Sequence, residues 1–170
     1  MPTTAVTARK GNIVQQPDCD GIVNSANPSL RAGSGVSGAI YAAAGPRLEP
    51  YALQFAPLQL GEAVATPAFN LPCRFIIHTR APKFYEDPDP PGNLAKALRS
   101  ALALADANGL TRVAVPALSM GVYGYPADQA VPILVRVASD MAGGFANLQE
   151  VRFVVVSDEL LRLFTQALIA

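Results

Sequence analysis

Short apolar runs alternate along this chain with stretches whose apolar residues recur every three to four positions. The first kind predicts strands and the second helices. Thr4 to Arg9 makes a short first strand, followed by a turn at Gly11-Asn12-Ile13. Asp18 to Ser25 predicts a second strand, Val36 to Ala44 a helix, and Pro46 to about Phe55 another short helix with Tyr51 and Phe55 on one face. Ala63 to Pro67 and Arg74 to Thr79 read as strands. The second, with Phe75-Ile76-Ile77, is apolar enough to lie inside a sheet. Residues 86 to 91 carry three prolines and are expected to be loop. Leu94, Leu98, Leu102 and Ala105 then mark the longest helix, stopped by Asn108-Gly109. Arg112 to Pro116 is a strand, Ala127 to Met141 a helix with Pro132 near its start, and Glu150 to Val156 a strand. Asp158 is expected to cap a last helix to about Leu168. Strands alternating with helices predict an α/β protein, a three-layer α/β/α sandwich with a mixed, mostly parallel central sheet.

Composition narrows the picture. At 170 residues the chain is expected to form a single domain, residues 1–170, with no internal repeat or linker. Hydrophobic residues make up 51%, yet no run reaches the length of a membrane span and no apolar signal region opens the chain, so a cytoplasmic protein without membrane attachment is expected. Thirteen basic residues balance thirteen acidic ones, which gives no footprint for nucleic acid. Cys19, Cys73 and the single histidine, His78, show no metal-ligand spacing, and two cysteines in such a domain read as reduced thiols. No metal and no cofactor are expected.

The candidate chemistry lies in two loops. The first runs from Asn24 to Gly45, NSANPSLRAGSGVSGAIYAAAG, and places Gly33, Gly35 and Gly38 where a strand gives way to a helix. Glycines allow close backbone approach, and a helix N-terminus offers free N–H groups to an anion. The second, Pro116 to Pro126, has the same strand–loop–helix setting and carries Ser119, Gly121, Val122 and Tyr123. In an open α/β sheet both fall at the carboxyl edge, where ligands bind, so a diphosphate clamped between them is the natural expectation.

Two enzymatic readings compete. Gly33 to Gly38 matches the dinucleotide fingerprint GxGxxG, but Asn27, Pro28 and Arg31 separate it from the strand, and the nearest following acids, Glu49 and Glu62, are misplaced for the ribose. Ala117-x-Ser119-x-Gly121 is one residue from the nucleophile elbow of serine hydrolases. That triad needs a histidine after the serine, whereas His78 precedes it, in an apolar run that suits a structural histidine.

Taken together, these motifs resemble the macro domain, the ADP-ribose-binding α/β/α module. The likeness spans nearly the whole chain: GNI at 11–13 is similar to GDI, VNSAN at 23–27 to VNAAN, AGSGVSGAI at 32–40 to GGGGVDGAI, FIIHTRAP at 75–82 to the IHTVGP strand, and PALSMGVYGYP at 116–126 to PAISTGVYGYP. The resemblance implies that the ligand is ADP-ribose or an ADP-ribosylated protein or metabolite. It places Asn12 and Ile13 against adenine, the amides of Gly35 and Val36 on the diphosphate, and Ser119, Gly121, Val122 and Tyr123 on its other side. Asn27 would bond the distal ribose.

Three departures bear on affinity and turnover. Asn12 stands where the family has an adenine-reading aspartate; it keeps a carbonyl acceptor but loses the charge. Val156, followed by Ser157, stands where many relatives have an aromatic residue. Ser37 and Ala32 stand where hydrolytic relatives carry aspartate and histidine. These features imply a reader of ADP-ribose first, and a mono-ADP-ribosyl hydrolase or O-acetyl-ADP-ribose deacetylase second, with Asn27 and the substrate phosphate positioning water. A serine hydrolase comes third.

Overall fold

The computed structural model describes residues 3–170. Its elements are strand β1 (Ala5–Lys10), β2 (Gly21–Ser25), helix α1 (Gly35–Ala44), α2 (Leu48–Ala52) continued by a 3₁₀ turn (Leu53–Phe55), β3 (Ala63–Pro67), β4 (Phe75–Thr79), α3 (Pro90–Ala107), β5 (Arg112–Val115), α4 (Ala127–Met141), β6 (Glu150–Val155) and α5 (Asp158–Ile169). The six strands form one sheet in the order β1-β6-β5-β2-β4-β3. Only the β3–β4 pairing is antiparallel; the others are parallel. β4 lies inside the sheet, as its apolar run predicted.

Side-chain alternation sends the two faces of each strand to different cores. Val113, Val115, Val151, Phe153 and Val155 pack with the buried stripes of α3 and α4 and with Phe164 of α5. On the other face Ile22, Ile76, Ala114 and Val154 pack under Ile40, Tyr41 and Ala44 of α1 and Leu48 of α2. The result is the predicted α/β/α sandwich. Because β1, β6, β5 and β2 are parallel neighbours, the loops that follow all four leave the sheet along one edge.

Three local expectations are corrected. β2 begins at Gly21 rather than Asp18, because the Asp20 carboxylate turns aside to accept the Thr111 amide at 2.9 Å and the Arg112 amide at 2.8 Å. Residues 86–91 are not all loop. Pro90 and Pro91 form the first turn of α3, where a missing N–H costs nothing and the fixed φ suits a helix, and Asp89 caps it by accepting from Gly92. The cap of α5 is Ser157, whose hydroxyl accepts from the Leu160 amide at 3.2 Å; Asp158 sits in the first turn and pairs with Lys10 at 3.1 Å. Pro132 lies within α4 on its exposed side, so the carbonyl it leaves unpaired faces water. Cys19 and Cys73 are free thiols, both with pKa pushed up to about 11, chiefly by burial. No helix among the described residues is long and apolar enough to cross a membrane.

Candidate functional site

β2 and β5 are hydrogen-bonded neighbours, so the loop into α1 and the loop into α4 leave the sheet side by side. Between them runs a cleft with two lobes that share Gly35, Val36, Pro116, Ala117 and Gly121 as a common waist. The narrower lobe, about 200 Å³, holds most of the cleft's polar side chains: Ser25, Asn27, Ser34, Ser37, Ser119 and Tyr123 line it, together with Gly33 and Val122. The wider, about 510 Å³, lies over the ends of β1 and β6 and is walled by Ile13, Ala39, Met120, Val154, Val156 and Leu160, with Asn12 at its side. No Asp or Glu lines either lobe.

The waist is built for an anion. Ser34 occupies the N-cap of α1 with no side-chain capping bond, so the first amides of the helix, Gly35 to Ser37, have no acceptor among the described residues. They meet the cleft at the positive end of the helix dipole. Gly35 has φ +58°, a conformation that favours glycine, and a Cβ there would touch nothing within 4 Å. Gly121, across the waist, also faces open space. Gly38 serves packing instead: a Cβ there would come within 2.6 Å of the Gly33 carbonyl. The GxGxxG spacing is thus divided between ligand access and close approach of loop to helix.

Loop rigidity comes from bonds that the motif alone does not reveal. The Asn27 side chain folds back on its own loop: Nδ2 donates to the Arg31 carbonyl at 2.9 Å, and Oδ1 accepts from the Ser29 hydroxyl at 2.9 Å and the Arg31 amide at 3.2 Å. Its oxygen is committed, and one N–H is left. Glu49, misplaced for a ribose-binding acid, accepts the Ala32 amide at 2.9 Å and anchors the same loop. Beside Asn27, the Ser37 hydroxyl is buried in the narrower lobe with no hydrogen-bond partner.

The second loop is held at Ser119, which has φ +66° and donates its hydroxyl to the Pro82 carbonyl at 2.7 Å. Tyr123 accepts the Phe84 amide through its carbonyl at 2.9 Å, and Lys83 lies 5.5 Å from the centre of its ring. Val122 is 82% exposed at the rim. Ser119 has no base to activate it. His78 is wholly buried on β4, with Nδ1 3.1 Å from Asn24 Nδ2 and Nε2 2.9 Å from Thr66 Oγ1. Asn24 can only donate through that nitrogen, so Nε2 carries the proton and gives it to Thr66. Burial lowers the His78 pKa to about 4, and the ring stays neutral. The nucleophile-elbow reading of Ser119 finds no support in this geometry.

The loop carrying Asn12, beside the wider lobe, is braced from below by a group that the motifs do not contain. Arg152 projects from β6 to the α1 face, 2% exposed, and bonds Asp18 at 2.6 and 2.8 Å, Glu150 at 2.9 and 3.1 Å and Gln16 Oε1 at 3.0 Å. Gln16 in turn donates to the Asn12 carbonyl at 3.1 Å. The Arg152 hydrogen bond holds the Asp18 carboxyl well below the usual carboxylate range. An arginine inside the otherwise apolar Val151–Val156 run was a visible sign that something charged lay beneath that strand. Nothing in the sequence singled out Gln16, Met120 or Leu160. Among the described residues no group of three or more His, Cys, Asp or Glu side chains gathers to hold a metal.

Comparison with known proteins agrees with this fold. The family model for the macro domain matches residues 23–134. The chain is 40% identical over 171 residues to an O-acetyl-ADP-ribose deacetylase of Salmonella gallinarum, covering 98% of this chain and 95% of that one. It is 38% identical to a macro domain-containing protein of Ralstonia nicotianae, covering 99% and 96%. Among solved structures, an Oceanobacillus iheyensis macrodomain with ADP superposes with a TM-score of 0.89 at 34% identity, covering 95% of this chain and 88% of that one. A Trypanosoma brucei macrodomain in complex with ADP-ribose gives 0.87 at 31% identity, covering 95% and 68%.

Proposed function

The chain belongs to the macro domain family, and from that premise we propose that its cleft binds ADP-ribose, free or carried on a protein or metabolite. The observation that carries this is the uncapped N-terminus of α1 facing Gly121 across a waist between the wider lobe and the narrower, more polar one. A diphosphate at the waist accepts from the amides of Gly35 and Val36. The adenine lies over Ile13 and Val156 with Asn12 at its edge, and the distal ribose lies among Asn27, Ser37, Ser119, Val122 and Tyr123. Val156, 75% exposed, offers a smaller apolar contact than a stacked ring would. The protein acts as a single domain in the cytoplasm, without membrane attachment or nucleic acid.

Calorimetric titration tests the reading. Free ADP-ribose is expected to bind near micromolar, roughly −8 kcal/mol, with AMP and ribose 5-phosphate far weaker. No heat and no thermal stabilisation at millimolar ADP-ribose would refute it, as would equal affinity for AMP.

A second reading, hydrolysis of ADP-ribosyl esters or O-acetyl-ADP-ribose, is favoured by the names of the Salmonella relatives. Here a water held by the free N–H of Asn27 and the Ser37 hydroxyl would give its proton to the substrate phosphate, since no carboxylate or imidazole lines the lobe. The phosphate, which would pass that proton on to the departing ribose oxygen, is a much weaker base than a carboxylate or imidazole, and a good general base is worth about 10²–10⁴ in rate, so turnover should be slow. Single-turnover assays on O-acetyl-ADP-ribose decide. Rapid release of acetate that Asn27→Ala abolishes would establish the enzyme over the reader.

A further inference from the structure

Among the described residues that line the wider lobe, Asn12 alone has a side chain capable of conventional hydrogen bonding. Its orientation is settled by its neighbour. The Val14 backbone N–H lies 3.1 Å from Oδ1, and an N–H can only donate, so the atom facing it is oxygen rather than nitrogen. The turn is gripped from behind by buried Gln16, which donates to the Asn12 carbonyl at 3.1 Å while accepting from Arg152 at 3.0 Å. Flipping the Asn12 amide would leave the Val14 N–H facing another donor. Nδ2 has no partner among the described residues, so Asn12 brings two unused N–H donors to a lobe that contains no carboxylate. The acceptor oxygen is partly used by Val14, and the two free donors come in addition to it.

A purine edge differs at position 6. Adenine presents an amine there, a donor, whereas a 6-oxo purine presents a carbonyl, an acceptor, and N7 accepts in both. A carboxylate beside the base accepts from the amine and repels the carbonyl. The Asn12 amide donates to the carbonyl, and the remaining lone pair on Oδ1 still accepts from an amine. We infer that Asn12 makes this lobe tolerant of 6-oxo purines, so that the cleft takes hypoxanthine as well as adenine nucleoside diphosphates. The inference rests on the nucleotide reading of the cleft.

The test is titration of wild type and Asn12→Asp with ADP and with inosine diphosphate. Aspartate keeps the oxygen that accepts from Val14, so the turn and the fold are retained. Wild type is expected to bind the two nucleotides within tenfold of each other, and Asn12→Asp to raise the preference for ADP at least tenfold further, mainly by weakening inosine diphosphate. A wild-type preference for ADP beyond tenfold, or a ratio that the substitution moves by less than tenfold, overturns the inference while leaving the cleft a nucleotide site. If neither nucleotide nor ADP-ribose binds the wild type, the reading of the cleft falls and the inference falls with it.

Discussion

Two polar regions of the molecule, one on the α1 face of the sheet and one at its carboxyl edge, are built on opposite plans. Around Arg152 the guanidinium meets Asp18, Glu150 and Gln16, and Glu150 also accepts from Thr7 at 2.7 Å. In the cleft, the first amides of α1 have no cap and the buried Ser37 hydroxyl has no partner. Leaving a buried polar group unpaired costs about 1–3 kcal/mol, so evolution removes such groups unless something else satisfies them. An unpartnered group does not mark a site by itself, since Asn24 Oδ1 beside His78 is also buried without a partner; what sets the cleft apart is that its free amides and the Ser37 hydroxyl converge on one cavity. His78 belongs with the first kind, since both its ring nitrogens are bonded.

The largest test of the contrast removes Arg152. Arg152→Met keeps the apolar stem and deletes the charge, leaving Glu150, whose side chain is only 16% exposed, with Thr7 and with Arg112 at 3.7 Å, and freeing Gln16. Breaking a buried pair from one side costs roughly 3–5 kcal/mol. Asp18 is half exposed and can turn to water, so about 3 kcal/mol is expected, a fall in Tm on the order of 6–12 °C by thermal denaturation. A change under about 1 kcal/mol would show that the network is ornamental.

Gly121→Glu attacks the other region. The position has room for a side chain and no positive φ, so the fold should hold within about 1 kcal/mol. The new carboxylate enters the waist beside the bound diphosphate, and like charges so placed cost several kcal/mol. Affinity for ADP-ribose should fall at least about a hundredfold, roughly 2.7 kcal/mol. A folded variant that binds like wild type would make this loop a plain turn.

A third test uses pH. His78 is the only histidine, and its folded pKa of about 4 lies below the ordinary 6.5. The folded protein resists a proton that the unfolded chain accepts, so the contribution of neutral His78 is fully present above pH 6.5 and is lost as pH falls toward 4. Asp18 and Glu150 are also held low and shed their contributions as pH falls, but only in the ordinary carboxylate range near pH 4 and below. Between about pH 6.5 and 5 the slope belongs to the histidine, approaching about 1.4 kcal/mol per pH unit at its steepest. Urea midpoints measured across this window should show it in wild type and lose it in His78→Gln. Affinity for ADP-ribose should follow neither change.

How much of this was legible in the sequence follows from the same contrast. Strands, helices and both glycine loops were legible because each is a local pattern: apolar runs, helical spacing, a glycine where the chain must approach something closely. The shared edge also followed, since parallel strands place their carboxyl ends together. Which side-chain atoms of Asn12 and Asn27 are taken up within their own turns did not follow, because an asparagine beside a turn satisfies its own backbone first, and only coordinates show which atom is left over. Pro90 and Pro91 misled for a related reason. A proline ends a helix in its interior and begins one at its first turn, and sequence alone does not say which applies. The Arg152 network joins residues more than a hundred positions apart, as its 136-residue separation from Gln16 shows, so no window could contain it.

The smallest expected effect is also the most discriminating. Ser37 is 6% exposed, and its hydroxyl has no protein partner, so in the free protein it has been withdrawn from bulk water without compensation. If the cleft is a site, Ser37→Ala should stabilise the free protein or leave it unchanged, by roughly 0–1 kcal/mol, because it deletes the stranded hydroxyl and adds helix propensity. Binding should move the other way. The distal ribose or its water loses a hydroxyl partner, and ADP-ribose affinity should fall about three- to tenfold, the range of one neutral hydrogen bond. Urea denaturation without ligand and calorimetry with it read the two effects separately. Were Ser37→Ala to destabilise by more than 1 kcal/mol with affinity intact, Ser37 would belong with Arg152 and His78 as structure. Opposite signs in the two measurements would instead mark a group kept for its ligand at the expense of the fold.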